Sequence, residues 1–176
     1  MNKVFKHLKT VHTHRKEVRK MCFKCGLYKQ GLIHDLSKYS LTELVPSIKY
    51  WTGNRSPIDN EIDDKGYSLA WLHHKGHNPH HSDYWIDVSH LDEPLKIPKK
   101  YLAEMFCDRV SASKTYLKDK FTVDAPLKYM QSRPQEKKYM NKKSYDELEN
   151  LLKMYAEKGE EYTCKFIKHC WMIEKY

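Results

Sequence analysis

The chain of 176 residues is long enough for one domain with a hydrophobic core and leaves little room for two full domains. Its 13 Tyr and 4 Trp exclude a disordered composition, and only 6 Gly and 7 Pro disfavour a turn-rich β-sandwich. A formal charge of +9 favours anionic partners, either phosphorylated molecules or nucleic acid, although lysine-rich solvated helix faces would give the same excess.

The first part of the sequence has apolar residues and histidines at three- and four-residue steps, which is the pattern of one helix face. It predicts a helix over residues 3–25 with Gly26 as its C-cap. Ser40 has a glutamate three residues later, which is a capping-box pattern. A second helix is therefore predicted over 40–51, either kinked at Pro46 or starting later.

The middle of the chain is predicted to alternate between irregular and helical segments. Residues 52–66 are polar and rich in turn formers, so we expect a surface loop there. A short helix is predicted over 68–75, followed by an irregular segment, 76–98, that contains three prolines. The last of these, Pro98, suits the first turn of a long helix over 99–118.

The last third of the chain is also predicted to be helical, with elements over 126–131, 144–158 and 160–176. No run of strand length alternates between polar and apolar residues, and no internal repeat is found. The predicted fold class is all-α, a single-domain helical bundle. Residues 1–118 would form its core, and residues 119–176 would form an extension packed on the same domain.

The sequence predicts a cytoplasmic protein without a membrane partner. No apolar run of signal-peptide type opens the chain, and no stretch approaches the 18 apolar residues of a membrane span. Five cysteines are an odd number, and reduced thiols are expected. Cys22 and Cys25 form a C-x-x-C pattern, but small core residues explain it better than a zinc site does.

The stretch GLIHDLSKYS, residues 31–40, places His34 beside Asp35 among apolar residues. It is either part of a metal site or a helix end that carries a histidine and an acid. Five of the eleven histidines also lie within residues 73–81, a density that favours transition-metal binding, because neutral imidazole is a common ligand for these ions.

Two residues on predicted inner helix faces could join this pair. Taken alone, His14 is explained as a hydrogen-bonded core residue, and Asp108 as the partner of the neighbouring Arg109. Taken together, ligand-type residues on four helical segments predict a metal site. One ion would be held by His14, His34, Asp35 and Asp108. A second ion could share Asp35 as a bridging ligand and take histidines from 73–81.

The order of these residues resembles the HD-domain superfamily of metal-dependent phosphohydrolases, over about residues 7–118. His34-Asp35-x-x-Lys38 is similar to the His-Asp-x-Gly-Lys form of the HD-GYP branch, with Ser37 at the glycine position. The resemblance extends to two histidine pairs and a closing aspartate, here His73-His74, His80-His81 and Asp108.

The sequence also departs from that branch. Lys75 stands where the branch tends to have glutamate, the Gly-Tyr-Pro signature is absent, and the second histidine pair follows the first closely. One ion or two are therefore both open. The segments HDLSKYS, GYSLAWLHHKG and HHSDYW also look like a bacterial and phage family catalogued only as a domain of unknown function, which implies no activity.

The superfamily resemblance implies a phosphohydrolase that uses one or two divalent ions of Fe, Mn, Ni, Co or Zn. Lys38 would neutralise charge on the phosphoryl oxygens, although a solvated lysine after a helix turn explains it equally well. Lys75 and Arg109 are weaker candidates for phosphate contact, and His77 is either a proton donor to the leaving group or an exposed loop histidine. The expected substrate is a small phosphate ester, and a nucleotide fits the charge.

The alternative function is a non-catalytic, metal-containing helical module that binds a protein or a nucleic acid. The basic charge supports this alternative, although no nucleic-acid-binding motif is visible. The two functions differ in what His34→Ala and Asp35→Ala would do: an enzyme would lose turnover, whereas a binding module would keep its partner.

Overall fold

The computed structural model describes residues 3–53, 55–92 and 94–173, and within these ranges every regular element is helical, as predicted. No helix in this part of the chain has the length and apolar composition needed to span a membrane. The α-helices are α1 (Lys3–Lys24), α2 (Tyr28–Ile33), α3 (Leu41–Tyr50), α4 (Pro57–Lys65), α5 (Leu69–His77), α6 (Lys99–Leu117), α7 (Ala125–Gln131), α8 (Pro134–Tyr139) and α9 (Lys142–Phe166). Single turns of 3₁₀-helix lie at Leu36–Tyr39, Ser82–Trp85, Val88–His90 and Lys118–Lys120, and a π-helical turn at Ile167–Trp171.

Helix α1 follows the apolar stripe of its sequence. Its buried residues recur every three or four positions, so that a single face turns inward and carries two histidines with it. The helix ends where Gly26 takes a φ of +80°, a value that glycine adopts at little cost. The buried residues are His7, Val11, His14, Val18, Met21 and Cys22.

Side-chain caps fix the starts of the two helices that carry the middle of the site. The Ser40 hydroxyl accepts a hydrogen bond from the backbone N–H of Glu43 at 3.4 Å, and α3 runs on through Pro46. The alternative of a later start, at or after Pro46, was therefore wrong. The Ser68 hydroxyl accepts from the backbone N–H of Trp71 at 3.0 Å and begins α5.

Helix α4 corrects the predicted surface loop over 52–66. Pro57 occupies the first turn of α4, where its missing N–H costs no hydrogen bond. Glu61 is buried and accepts hydrogen bonds from the Ser68 hydroxyl at 2.6 Å and from Lys65 at 3.0 Å. These contacts stabilise a helix in a segment whose composition is that of a loop.

The C-terminal helix also differs from prediction. It starts at Lys142 rather than at 144, because the side chain of Asn141 caps it by accepting from the N–H groups of Lys143 and Ser144. The boundary predicted between the last two helices is confirmed, because Gly159, with a φ of +79° and a ψ of 176°, leaves helical geometry and kinks α9 at that position. Residues 174–176 of the predicted last helix lie outside the described residues.

Helix α6 is the centre of the core and is buried along most of its length. It packs against α1, α7 and α9. The irregular segment before it is tied to α9, because the buried N–H of Ile97 donates to the Ser144 hydroxyl at 2.9 Å. The α1–α6 contact helps to position the site, since it brings His14 of α1 to Asp108 of α6.

Candidate metal centre

The backbone at the end of α2 turns two consecutive side chains into the protein. Neighbouring residues of a helix point about 100° apart, so His34 and Asp35 could not both face inward on a continuous helix. Asp35 instead adopts a left-handed conformation with φ +54°, and both side chains are buried at 1% exposure. A non-glycine residue in this region costs about 1–3 kcal/mol, a strain of the kind that clusters at functional sites.

Four residues from three helical segments converge on one side of Asp35. The Asp108 Oδ1 atom lies 3.0 Å from His14 Nε2 and 3.5 Å from His34 Nε2. The Oδ2 atom of Asp35 lies 3.4 Å from His34 Nε2 and 3.7 Å from His14 Nε2. We call His14, His34, Asp35 and Asp108 the first donor set, and one ligand atom from each lies within 4.8 Å of the others.

The other oxygen of Asp35 faces a second group of histidines. Its Oδ1 atom lies 3.3 Å from His74 Nε2 and 3.5 Å from His80 Nε2. The Nε2 atoms of His74 and His81 are 2.9 Å apart. We call Asp35, His74, His80 and His81 the second donor set, and again one ligand atom from each lies within 4.8 Å of the others. The two sets share the carboxylate of Asp35, with Oδ2 facing the first set and Oδ1 facing the second.

Two further carboxylates hold the histidine rings from behind. Glu104 Oε1 lies 2.9 Å from His34 Nδ1 and 3.2 Å from His80 Nδ1, and Glu43 Oε2 lies 2.8 Å from His74 Nδ1. A carboxylate only accepts hydrogen bonds, so each Nδ1 carries a hydrogen, and Nε2 is the ring atom left to bind a metal ion. A carboxylate behind a histidine is the usual support of metal-ligating imidazole.

Three of the inward-facing atoms have no hydrogen-bond partner. They are His34 Nε2, His80 Nε2 and Asp35 Oδ1, which are buried and lack a partner among the described residues. Buried polar atoms without a partner are unfavourable, and a cation among them would compensate for the missing hydrogen bonds. The residues therefore fit divalent metal ions, and the two buried donor sets could hold them.

The electrostatics of the centre favour a cation in the same way. Burial opposes protonation of His34, but Asp35, Asp108 and Glu104 outweigh it and raise the pKa of His34 to about 10. Burial would also raise the pKa of Asp35, yet His34, Lys38 and other nearby cations hold it well below its usual range. Without a metal ion, the carboxylates thus stabilise a proton on the buried His34 ring. A bound metal ion would replace that proton and neutralise the same carboxylates.

The His81 ring is poised as a neutral ligand. Burial lowers its pKa well below the usual range, and the neighbouring His80 and His74 lower it further. A neutral imidazole has a lone pair to offer to a metal ion, whereas a protonated ring has none.

A cavity of about 480 Å³ opens beside the first donor set, between α1, the segment from α3 to α4, and the end of α6. Lys38 reaches it from the centre, with its Nζ atom 2.5 Å from Asp35 Oδ2 and 29% of its side chain exposed. The wall combines aromatic rings with cations. The residues that carry these features are His14, Lys38, Lys6, Lys9, Arg55, Lys118, Trp51 and Tyr116.

The structure also places four predicted residues away from the donor sets. His73 binds Glu43 rather than Asp35, with 2.7 Å between Nδ1 and Oε1, and His77 stacks on His73 at the surface. Arg109 Nη2 donates to Glu136 at 2.6 Å. Neither Arg109 nor Lys75 lines the cavity.

Sequence reasoning missed the two supporting carboxylates. Glu104 precedes Asp108 by four residues, so the two acids lie on the same face of the helix. Because Asp108 was already a candidate ligand, this spacing could have indicated that Glu104 also faces the site. Glu43 had been explained by the capping-box pattern with Ser40, and the contact of its side chain with a distant histidine left no mark in the local sequence.

We expect Glu104→Gln to weaken metal binding about 10- to 100-fold, because the neutral amide oxygen accepts from His34 Nδ1–H and His80 Nδ1–H more weakly than the carboxylate and holds the two rings less firmly. Equilibrium dialysis followed by plasma mass spectrometry measures the bound metal. Glu61→Gln is the matched control, since Glu61 is equally buried but binds Ser68 and Lys65 away from the centre. Equal losses in both variants would contradict a supporting role for Glu104.

Comparison with known proteins matches residues 3–154 of the chain to a family model described as a family of unknown function, DUF5662. No protein with a curated description matches the chain, and no solved structure does. The resemblance to HD-domain phosphohydrolases therefore rests on the residues of this chain alone.

Proposed function

The chain belongs to DUF5662, a family of unknown function, and from its own centre we propose that it is a metal-dependent phosphohydrolase. The proposal rests on the position of Asp35. Its two carboxylate oxygens face two histidine-containing donor sets, and a cavity lined by lysines lies beside the first of them. Two ions sharing a carboxylate are a recurrent arrangement in enzymes that displace groups at phosphorus.

Each donor set suits a transition metal better than Mg²⁺ or Ca²⁺, because the first set offers two imidazole nitrogens and the second offers three. Fe, Mn, Co, Ni and Zn are the candidate ions. When bound, such ions act as Lewis acids that acidify a water and neutralise charge on a phosphoryl group. The chain supplies the ligands, the outer carboxylates that hold them in place, and the neighbouring cavity that receives the substrate.

Lys38 is the residue proposed to contact the scissile phosphate. It stands between the first donor set and the cavity, and its ammonium group is already held beside Asp35. Burial works against the charge on Lys38, but Asp35 and Asp108 raise its pKa, so the side chain stays positive through the working pH range. A fixed positive charge at this position lowers the energy of a transition state that spreads negative charge over phosphoryl oxygens.

The cavity favours a small phosphate ester with an apolar or aromatic part. Lys6, Lys9 and Lys118 give its wall a positive charge, and Trp51 and Tyr116 add aromatic surface. A nucleotide combines both properties, since its phosphates would face the lysines and its base could stack on a ring. We propose this substrate class for the site.

Untagged protein, loaded in turn with Mn, Fe, Co, Ni and Zn, should release phosphate or alcohol from a panel of phosphomonoesters and phosphodiesters that includes nucleotides. Lys38→Met should lower turnover about 10²- to 10³-fold, the usual effect of losing one group that stabilises the transition state. It should keep its metal, because the lost residue is a cation.

Lys75→Met is the control, because Lys75 lies on α5 outside the cavity and should keep full turnover. Full metal loading without turnover on any of these phosphate esters would reject the phosphohydrolase and favour the non-catalytic metal-containing module.

A further inference from the structure

His7 lies at the end of the cavity that is remote from the metal centre. It precedes His14 by seven residues on α1, so the two histidines share one helix face and are about 10.5 Å apart along the helix axis. Both residues line the cavity. A substrate whose phosphate group lies at the centre would therefore meet His7 with its other end.

The His7 side chain is buried without a hydrogen-bond partner. Only 6% of the residue is exposed, and neither ring nitrogen makes a hydrogen bond to another described residue. Its Nδ1 atom is enclosed by protein, which leaves Nε2 as the nitrogen that a molecule in the cavity can reach. Buried polar groups in folded proteins are nearly always paired, so an unpaired one on a cavity wall points to a partner that binds there.

His7 differs in charge from the cations that line the same cavity. Burial lowers the pKa of His7, and the positive charge of Lys38 lowers it further, so the ring is neutral at neutral pH. A neutral imidazole has one N–H group and one lone pair, which suit an uncharged polar group better than a phosphate. The residues that suit phosphate are Lys6, Lys9, Lys38 and Lys118.

An aromatic ring stands beside His7 at the remote end. The ring centroids of His7 and Trp51 are 6.5 Å apart, with the planes at 66° in an edge-to-face arrangement. Gly53 brings the chain close to Trp51, because it has a φ of +91° and a Cβ atom added there would lie 3.3 Å from two atoms of the indole ring. Trp51 and Gly53 both line the cavity. The remote end thus offers a hydrogen-bonding nitrogen beside a large aromatic surface.

We propose that His7 and Trp51 form a subsite for a nucleobase, in which His7 is the specificity-determining residue. The inference rests on the proposed function, since it assigns the base of the nucleotide substrate to one end of the cavity. A nucleobase combines an aromatic ring, which packs against Trp51, with edge atoms that donate or accept a hydrogen bond at His7 Nε2. The sugar lies between this subsite and the phosphate at the centre, along α1.

The first test measures binding of adenosine, guanosine, cytidine, uridine and ribose to metal-loaded full-length protein by isothermal titration calorimetry. Nucleosides carry no phosphate ester, so the readout does not depend on hydrolysis. Wild type should bind at least one nucleoside more tightly than ribose. His7→Phe should weaken that binding about 2- to 12-fold through loss of one hydrogen bond, and Trp51→Leu about 5- to 150-fold through loss of base packing.

Two further variants separate recognition from packing. His12→Phe is the matched control, since His12 is exposed on the same helix outside the cavity, and it should bind like wild type. His7→Gln keeps a polar side chain and should bind the nucleoside more tightly than His7→Phe, whereas a loss of packing alone would weaken both variants equally. Melting curves check that each variant is folded.

The second test uses turnover of the matching nucleoside monophosphate and of ribose 5-phosphate, which lacks the base. His7→Phe should raise KM for the nucleotide with little change in kcat, because the base contact is the same in the ground state and the transition state. The kinetics of ribose 5-phosphate should be equal in His7→Phe and wild type.

The two tests distinguish this subsite from the proposed hydrolysis. Equal binding of nucleosides and ribose by wild type, or equal nucleoside affinity of His7→Phe and wild type, would overturn the subsite whether or not nucleotides are hydrolysed. Nucleoside binding that depends on His7, without turnover of any phosphate ester, would reject the phosphohydrolase and support the nucleobase subsite.

Discussion

Asp35→Asn should remove metal from both donor sets at once, because Asp35 is the one residue that they share. An asparagine side chain has one neutral oxygen acceptor in place of two charged oxygens. One donor set therefore loses the ligand at position 35, and the other keeps only an uncharged, weaker ligand there. The loss of affinity should exceed the roughly 10- to 100-fold that follows removal of an outer hydrogen-bond partner. Phosphohydrolase turnover, if present in wild type, should fall with the metal content.

The measurement is metal content per chain by plasma mass spectrometry, with Asp108→Asn beside it. Asp108 belongs only to the first donor set, so that variant should lose one ion and keep the other. Asparagine tolerates the left-handed backbone of position 35, and the melting curve should therefore show a folded protein. Full metal content in Asp35→Asn would contradict the shared carboxylate.

Much of the centre could be predicted because helical spacing determines which side of a helix a residue faces. His14 falls on the apolar stripe of α1, and Asp108 falls on the inner face of α6. Two helices that pack through such faces bring these residues together, so each could be proposed from the sequence alone. The structure brings His14, His34, Asp35 and Asp108 within ligand distance of one another.

The histidine-rich segment could not be resolved in the same way. His73 and His74 are adjacent on α5, and their side chains point about 100° apart. Only one of the two can therefore face the metal centre, and the sequence does not indicate which. Only His74 meets Asp35, while His73 turns to the outer side of Glu43. His80 and His81 follow Pro79 in irregular chain, where no periodicity indicates which way a side chain points.

Helix α4 shows a second limit of sequence reasoning. Its sequence, PIDNEIDDK, has the composition of a loop, and its single buried acid gives no apolar stripe. The helix is stabilised by tertiary contacts, above all the hydrogen bond from the Ser68 hydroxyl to Glu61. Local propensity is a weak prior in such segments, because packing against distant residues overrides it.

Removal of the metal ions should lower the melting temperature by roughly 10 °C for each ion lost. An ion present at 1,000 times its Kd stabilises the folded state by about 4.1 kcal/mol, and 1 kcal/mol corresponds to about 2–4 °C in a chain of this size. The physical reason is that chelation leaves the carboxylates of Asp35, Asp108 and Glu104 together in a buried centre. A proton on His34 compensates only in part, since it neutralises a single charge.

Calorimetry of holoprotein, of chelated protein and of reloaded protein measures this effect. Mn²⁺ or Zn²⁺ should restore the original melting temperature, whereas Mg²⁺ should not, because it prefers oxygen ligands to the imidazole nitrogens of the donor sets. An unchanged melting temperature after complete chelation would mean that the buried acids and histidines stabilise one another without an ion.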